Sequence, residues 1–240
     1  MDCHKAMGKN IKLQLICIGY AGSIAANFNF LIPYLGDEIE LSVVEYKGRG
    51  TRRNESVYKD NEELVADVAE QIKGLRKDRL PYAILGYSMG VQVVYELFAK
   101  ELLDEDPAGV FLAAHEPPDV DCFGKSVNLE EDDEFIALIQ NYGGMDERLL
   151  ADKRFREIYL SRLKGDYRLL KEYQFSGEYH KITVPMVVFY CENDTPYEKM
   201  KGWGRFSAGK IKFYRMGQDH FFFKSDTEEF CKVICEELDY

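Results

Sequence analysis

The chain has 240 residues, 46% of them hydrophobic, which is enough apolar surface for a sizeable core and excludes a disordered chain. Its 42 acidic residues against 31 Lys and Arg leave a net charge of −11, which argues against nucleic acid and anionic membranes as partners, since phosphate-rich surfaces repel it. No stretch approaches the roughly 20 apolar residues of a membrane span, and the opening MDCHKAMGKN lacks the apolar run of a signal peptide, so a soluble, cytoplasmic protein is expected.

Taken in chain order, short apolar runs alternate with longer segments of helical period. Strands are predicted over 12–18, 39–46, 82–87, 109–114, 185–190 and 210–216, each rich in Val, Ile, Leu, Phe or Tyr. Helices are predicted around 24–35, over 61–75, over 89–103 and over 227–238. In the second of these, Leu64, Val65, Val68 and Ile72 recur at helical spacing, and Asn61 is placed to cap its start. Strand–helix alternation implies an α/β fold with a mainly parallel sheet covered on both faces. Six cysteines show no C-x-x-C pair, and Cys17 and Cys191 lie inside apolar runs as buried thiols, so neither disulfides nor a metal site is expected.

The alternation breaks between about 117 and 180, where the sequence looks helical and its charge is split. From Asn128 to Glu147 there are seven acids and no Lys or Arg, whereas from Arg148 to Lys171 there are eight basic residues against three acids. An insertion placed between two core strands reads as a lid on a single domain spanning 1–240. Its basic half, with Arg148, Lys153, Arg154, Arg156, Arg162 and Lys164, offers a local binding patch on an otherwise acidic chain. A solvated helix face balanced by the acidic half explains the same residues.

The sequence from Gly86 to Gly90 is G-Y-S-M-G. Alone, G-x-S-x-G arises by chance in roughly one chain in ten of this length. Here YAILGY supplies a strand before it and MGVQVVYELFAKEL a helix after it, the context a nucleophilic serine requires. The turn exposes the Ser88 hydroxyl, and the flanking glycines permit close backbone approach. A serine needs a base. Of His4, His115, His180 and His220, only His220 follows the last strand, where the base of such a site arrives; His115, at the end of another strand, is a supporting candidate, and His4 and His180 are peripheral. The acid is expected at a strand end between the two, and Asp194, in VVFYCENDTPY, stands just after the fifth strand. Glu192 is its nearest competitor, Asp219 is too close to His220 in sequence to turn back onto its ring, and a helix cap before Pro196 is the alternative role for Asp194. An oxyanion hole would combine the amide of Met89 with that of Tyr20 or Ala21 in the turn CIGYAGSIA. That turn lacks G-x-G-x-x-G and a Walker lysine, which excludes dinucleotide binding.

With these pieces assembled, the chain resembles the type II thioesterases that accompany nonribosomal peptide and polyketide synthetases, from about Leu13 to Leu238. The resemblance rests on ICIGYAGSIAANF, EYKGRGTR, PYAILGYSMG, LIQNYGGMDERLL and GQDHFFF in that order. Tyr87 stands where that family usually has His, and Gly19 where it usually has Pro. The resemblance implies an α/β-hydrolase fold with a helical lid and a catalytic set of Ser88, Asp194 and His220. It further implies hydrolysis of acyl or aminoacyl thioesters from the phosphopantetheine arm of acyl or peptidyl carrier proteins. No cofactor of the enzyme's own is expected, and the chain is expected to be a monomer. Other hydrolases of this fold, among them carboxylesterases and fatty-acyl-releasing thioesterases, an acyltransferase, and a non-catalytic binding protein are the alternatives.

Overall fold

The structure is a computed structural model and describes residues 11–77, 80–120, 128–142 and 153–240. All six predicted strands form: β1 (Leu13–Ile18), β2 (Ile39–Val43), β3 (Tyr82–Tyr87), β4 (Val110–Ala113), β5 (Met186–Tyr190) and β6 (Ile211–Arg215). They make one wholly parallel sheet in the order β2-β1-β3-β4-β5-β6. Consecutive side chains leave a strand on opposite faces, so each apolar run feeds two cores. Ile16, Ile84, Leu112 and Val188 join one face, while Leu15, Leu85, Phe111 and Phe189 join the other.

The first face is covered by α1 (Asn61–Leu75) and α2 (Met89–Ala99). Leu64, Val65, Val68 and Ile72 of α1 are all buried there, each stabilising the fold by about 1.5–3 kcal/mol as an upper bound. The opposite face is covered by a 3-10 segment, Ala25–Tyr34, and by the C-terminal helix Thr227–Glu237, which buries Phe230, Cys231, Val233 and Ile234.

Three expectations are corrected. The cap of α1 is Asp60, whose carboxylate accepts from the amide of Glu63 at 2.8 Å, whereas Asn61 is the first helical residue. The Asn61 side chain instead donates to the carbonyl of Leu169 and accepts from Gln92. The segment predicted as a helix over 24–35 winds as 3-10 turns, with Pro33 inside it, a residue that would leave an α-helical carbonyl without its donor. Helix α2 stops at Ala99 rather than 103: Glu101 takes φ 53°, and the amides of Glu101 and Leu102 turn back onto the carbonyls of Phe98 and Leu97.

Between β4 and β5 lie α3 (Asp132–Asn141) and α4 (Lys153–Glu172). Phe135 and Ile139 of α3 and Leu160 and Leu163 of α4 form a small apolar cluster apart from the two main cores, with Ala21 packed against it. No helix among the described residues is long and apolar enough to cross a membrane.

Candidate active site

In a parallel sheet, loops leaving the carboxyl ends of the strands gather along one edge, with a crevice where the chain switches direction. Here the chain runs from β1 out to β2 and then returns to β3 on the other side of β1, so the switch lies between β1 and β3. The turn after β1 carries Tyr20 and Ala21, and the turn after β3 carries Ser88. The loops after β5 and β6 bring Asp194 and His220 to the same edge.

Ser88 sits between β3 and α2 at φ 52° and ψ −118°, a conformation costly to a residue with a side chain and characteristic of functional turns. Its amide donates to the carbonyl of Ala113 and its carbonyl accepts from Val91, so both neighbouring elements hold the strain. The glycines either side explain the tightness. A Cβ on Gly90 would stand 2.1 Å from the carbonyl oxygen of Ile18, and one on Gly86 would stand 2.9 Å from the carbonyl oxygen of Gly90. The start of α2 therefore rests directly on the exit of β1. Among the described residues no acceptor takes up the backbone N–H of Tyr20, Ala21 or Met89.

His220 Nε2 lies 3.0 Å from the Ser88 hydroxyl oxygen, and its Nδ1 lies 2.8 Å from Asp194 Oδ2. With the ring proton on Nδ1, where it donates to the carboxylate, Nε2 is left to accept from the hydroxyl. The imidazole and carboxylate are 15% and 13% exposed, open enough for a substrate and closed enough to strengthen their interaction. Several bonds hold the His220 loop in place. The Tyr87 hydroxyl donates to the His220 carbonyl at 2.7 Å, Asn193 reaches the carbonyl of Gln218, and Asp226 accepts from the amide of Gly217. The rings of Tyr142, Phe221 and Tyr87 surround the imidazole edge-on. Burial pushes the hydroxyls of Tyr20, Tyr87 and Tyr142 up, which keeps this wall uncharged, and burial draws the ammonium of Lys224, lying over Phe221 and Tyr20, down.

Other candidates lie elsewhere. Asp194 is not a cap, because the short helix Tyr197–Met200 is preceded by Pro196 and has no side-chain cap. Glu192 is exposed, and Asp219 accepts from the amide of Phe221. His115 turns one ring nitrogen to the carbonyl of Glu116, and His180 is exposed beside Glu178. Of the basic patch, Arg156 pairs with Asp133 and Lys164 with Asp132 across to α3, and Arg162 is partly exposed on α4. Arg148 and His4 lie outside the described residues, as do the side chains of Lys153 and Arg154. Among the described residues no group of three or more His, Cys, Asp or Glu side chains is arranged to hold a metal ion.

Sequence reasoning missed a buried pair beneath the β1 turn. Arg49, from the loop after β2, and Asp166, from α4, meet in two bonds of 2.6 Å with side chains only 1% and 3% exposed. They are 117 residues apart, and no local pattern links them.

Residues 13–238 match a family model described as a thioesterase domain. The chain is 28% identical over 231 residues to the gramicidin S biosynthesis protein GrsT of Aneurinibacillus migulanus, covering 95% of this chain and 89% of that one. To the thioesterase PikA5 of Streptomyces venezuelae it is 26% identical over 236 residues, covering 95% and 82%. Among solved structures, ClbQ from the colibactin NRPS/PKS pathway superposes with a TM-score of 0.85 at 26% identity, covering 95% of this chain and 97% of that one.

Proposed function

Because this chain belongs to the thioesterase domain family and hydrolyses thioesters, we propose that it removes acyl or aminoacyl groups from the phosphopantetheine arm of carrier-protein domains, through an acyl-enzyme on Ser88. The observation that carries the mechanism is the unbroken chain from the Ser88 hydroxyl through His220 to Asp194, at 3.0 and 2.8 Å.

In this reading His220 takes the Ser88 proton as the oxygen attacks the thioester carbonyl. Asp194 keeps the imidazole in the productive tautomer and stabilises the imidazolium that forms. The amide of Met89, with that of Tyr20 or Ala21, holds the oxyanion; one such donor is worth about two to three orders of magnitude in rate. The tetrahedral intermediate collapses by breaking the carbon–sulfur bond, the His220 imidazolium gives its proton to the leaving sulfur, and the arm departs as a thiol, with the imidazole neutral again. Water, deprotonated by the same imidazole, adds to the acyl-enzyme, and a second collapse returns the proton to Ser88 and frees the acid. Three side chains and two amides perform every step, so the enzyme works without a cofactor of its own.

The biological task in this reading is to clear blocked or misprimed arms of a synthetase, working in the cytoplasm as a monomer that visits the carrier. The segment 117–180 acts as the lid, and Arg148, Arg154, Arg156 and Arg162 on it meet the carrier's acidic surface; the Arg156–Asp133 pair commits part of that charge within the lid itself. The test is Ser88→Ala against a panel of acylated carrier proteins, with oxygen esters alongside. Hydrolysis of the carrier thioesters should fall by about four orders of magnitude or more. Retained turnover would refute the assignment of the nucleophile, and a preference for oxygen esters would refute the substrate class.

A further inference from the structure

The turn Gly19–Ser23 is held by three side chains from distant parts of the chain. The Tyr46 hydroxyl donates to the Gly19 carbonyl at 2.8 Å, and Arg49 Nη1 reaches the Ser23 carbonyl at 3.5 Å. Asp166 Oδ2 accepts from the amide of Gly22 at 2.7 Å while both its oxygens take the Arg49 guanidinium at 2.6 Å. Arg49 also lies over the Tyr46 ring. Two of the turn's polar ends are thereby tied to the loop after β2, and one is tied to α4.

Helix α4 also meets the turn by packing. Gly22 stands at φ 82°, and a Cβ there would lie 2.8 Å from the Leu163 side chain and 3.2 Å from the Tyr159 hydroxyl, both on α4. Ala21 packs against the cluster that Leu160 and Leu163 form with α3. A buried ion pair adds little net stability, because the desolvation of both charges offsets their attraction. What the bidentate fork does supply is direction: it orients Asp166 so that one oxygen faces Gly22.

We propose that Asp166, oriented by Arg49, is a positioning residue for the oxyanion turn. It sets the peptide at Gly22 so that the amide just before it, of Ala21 or Tyr20, faces the reacting carbonyl, and a displacement of α4 carries the turn with it. Helix α4 then controls the rate constant of the chemical step and not only access to the site. This inference rests on the oxyanion assignment of the preceding subsection.

The test uses the full chain, a small acyl thioester as substrate, and an alkyl trifluoromethyl ketone, to whose carbonyl carbon a serine oxygen adds to leave a hemiketal oxyanion. In Arg49→Met/Asp166→Leu both charges leave together, so the fold keeps its stability while Gly22 loses its acceptor. The expected result is a fall in kcat of about 10- to 100-fold, part of the loss for a whole missing donor. KM should stay within about two-fold, and affinity for the ketone should weaken by the same factor as kcat. Ile72→Ala, a core truncation in α1 away from the turn and from α4, should lower Tm with kcat nearly unchanged. If the double variant does not fold, Arg49→Lys, which keeps the charge and loses the fork, is judged on the same ratio of kcat to ketone affinity. A folded variant with wild-type kcat and ketone affinity overturns the proposal and leaves the oxyanion reading intact. A wild-type enzyme that fails to capture the ketone on Ser88 overturns that earlier reading instead.

Discussion

Replacing Gly90 by alanine puts a Cβ 2.1 Å from the carbonyl oxygen of Ile18, 2.7 Å from its carbon and 3.0 Å from the oxygen of Gly19. All three are backbone atoms of β1 and its exit, so no side chain can rotate away. Carbon–oxygen contacts close at about 3.3 Å, so α2 and the β1 turn must separate by about 1 Å. That separation opens the space between the Met89 amide and the amides of Tyr20 and Ala21, the two sides of the proposed oxyanion hole. A misplacement of that size costs about 100-fold in rate, and the overpacking costs about 1–3 kcal/mol of stability. Gly86→Ala, with its nearest contacts at 2.9 Å, should lose less, and Gly109→Ala, whose Cβ meets nothing closer than 3.4 Å, should lose nothing measurable. The assay is release of free thiol from a small acyl thioester, read as kcat and KM beside a thermal melt. If Gly90→Ala folds and turns over like Gly109→Ala, the close approach of α2 to β1 does not set the geometry of the hole.

Tyr87→Phe removes the donor to the His220 carbonyl and leaves that oxygen without it in a buried site, at a cost of about 1–3 kcal/mol. A fall in kcat of several-fold with KM unchanged is expected, and an unaltered kcat would show that the loop needs no such anchor. Burial pushes the Asp67 carboxyl up, but hydrogen bonds from Arg52, Tyr58 and Gln71 outweigh it and hold it below its ordinary 3.8. Its folded pKa is depressed, so the stability it contributes is present in full above the ordinary, unfolded value and is lost as pH falls from there through the folded pKa. The gap in unfolding free energy between wild type and Asp67→Asn should be constant from about pH 5 to 7 and close in more acid solution, as measured by urea titrations; a gap that widens with acid contradicts the sign. Reversing Arg156 and Arg162 to Glu should raise KM for carrier-bound substrate several-fold and leave small thioesters unaffected, whereas equal effects on both would mark a solvated helix face.

Much of this molecule is written locally. The inner strands, buried on both faces, need near-continuous apolar runs, as in YAILGY and VFLA, whereas the edge strands β2 (IELSV) and β6 (IKFYR) mix apolar with polar residues; all six form within a residue or three of the predicted positions. The serine turn is equally local, because strand, glycine pair and helix lie within one short stretch. His220 and Asp194 could be named by elimination, since few histidines and few strand-end acids follow Ser88. At the start of α1 two local signals compete: Asp60 and Asn61 are both good caps, and only the path of the chain into the helix decides which side chain faces the open amides. Likewise Ala25–Tyr34 has helical composition, yet Pro33 and its packing under the sheet tighten it into 3-10 turns.

The sequence by itself determined which residues were candidates for the chemistry, three of which the fold brings within hydrogen-bond distance, and in which order the strands and helices follow. The tertiary structure alone decided how the reactive groups are held: the hydroxyl of Tyr87 on the His220 carbonyl, and the Arg49–Asp166 fork under the turn at Gly22. The reason is range. Periodicity and turn chemistry act between neighbours along the chain. A bond between a helix and a turn 144 residues apart exists only once the sheet has brought them together, and neither partner carries a sign of it beforehand.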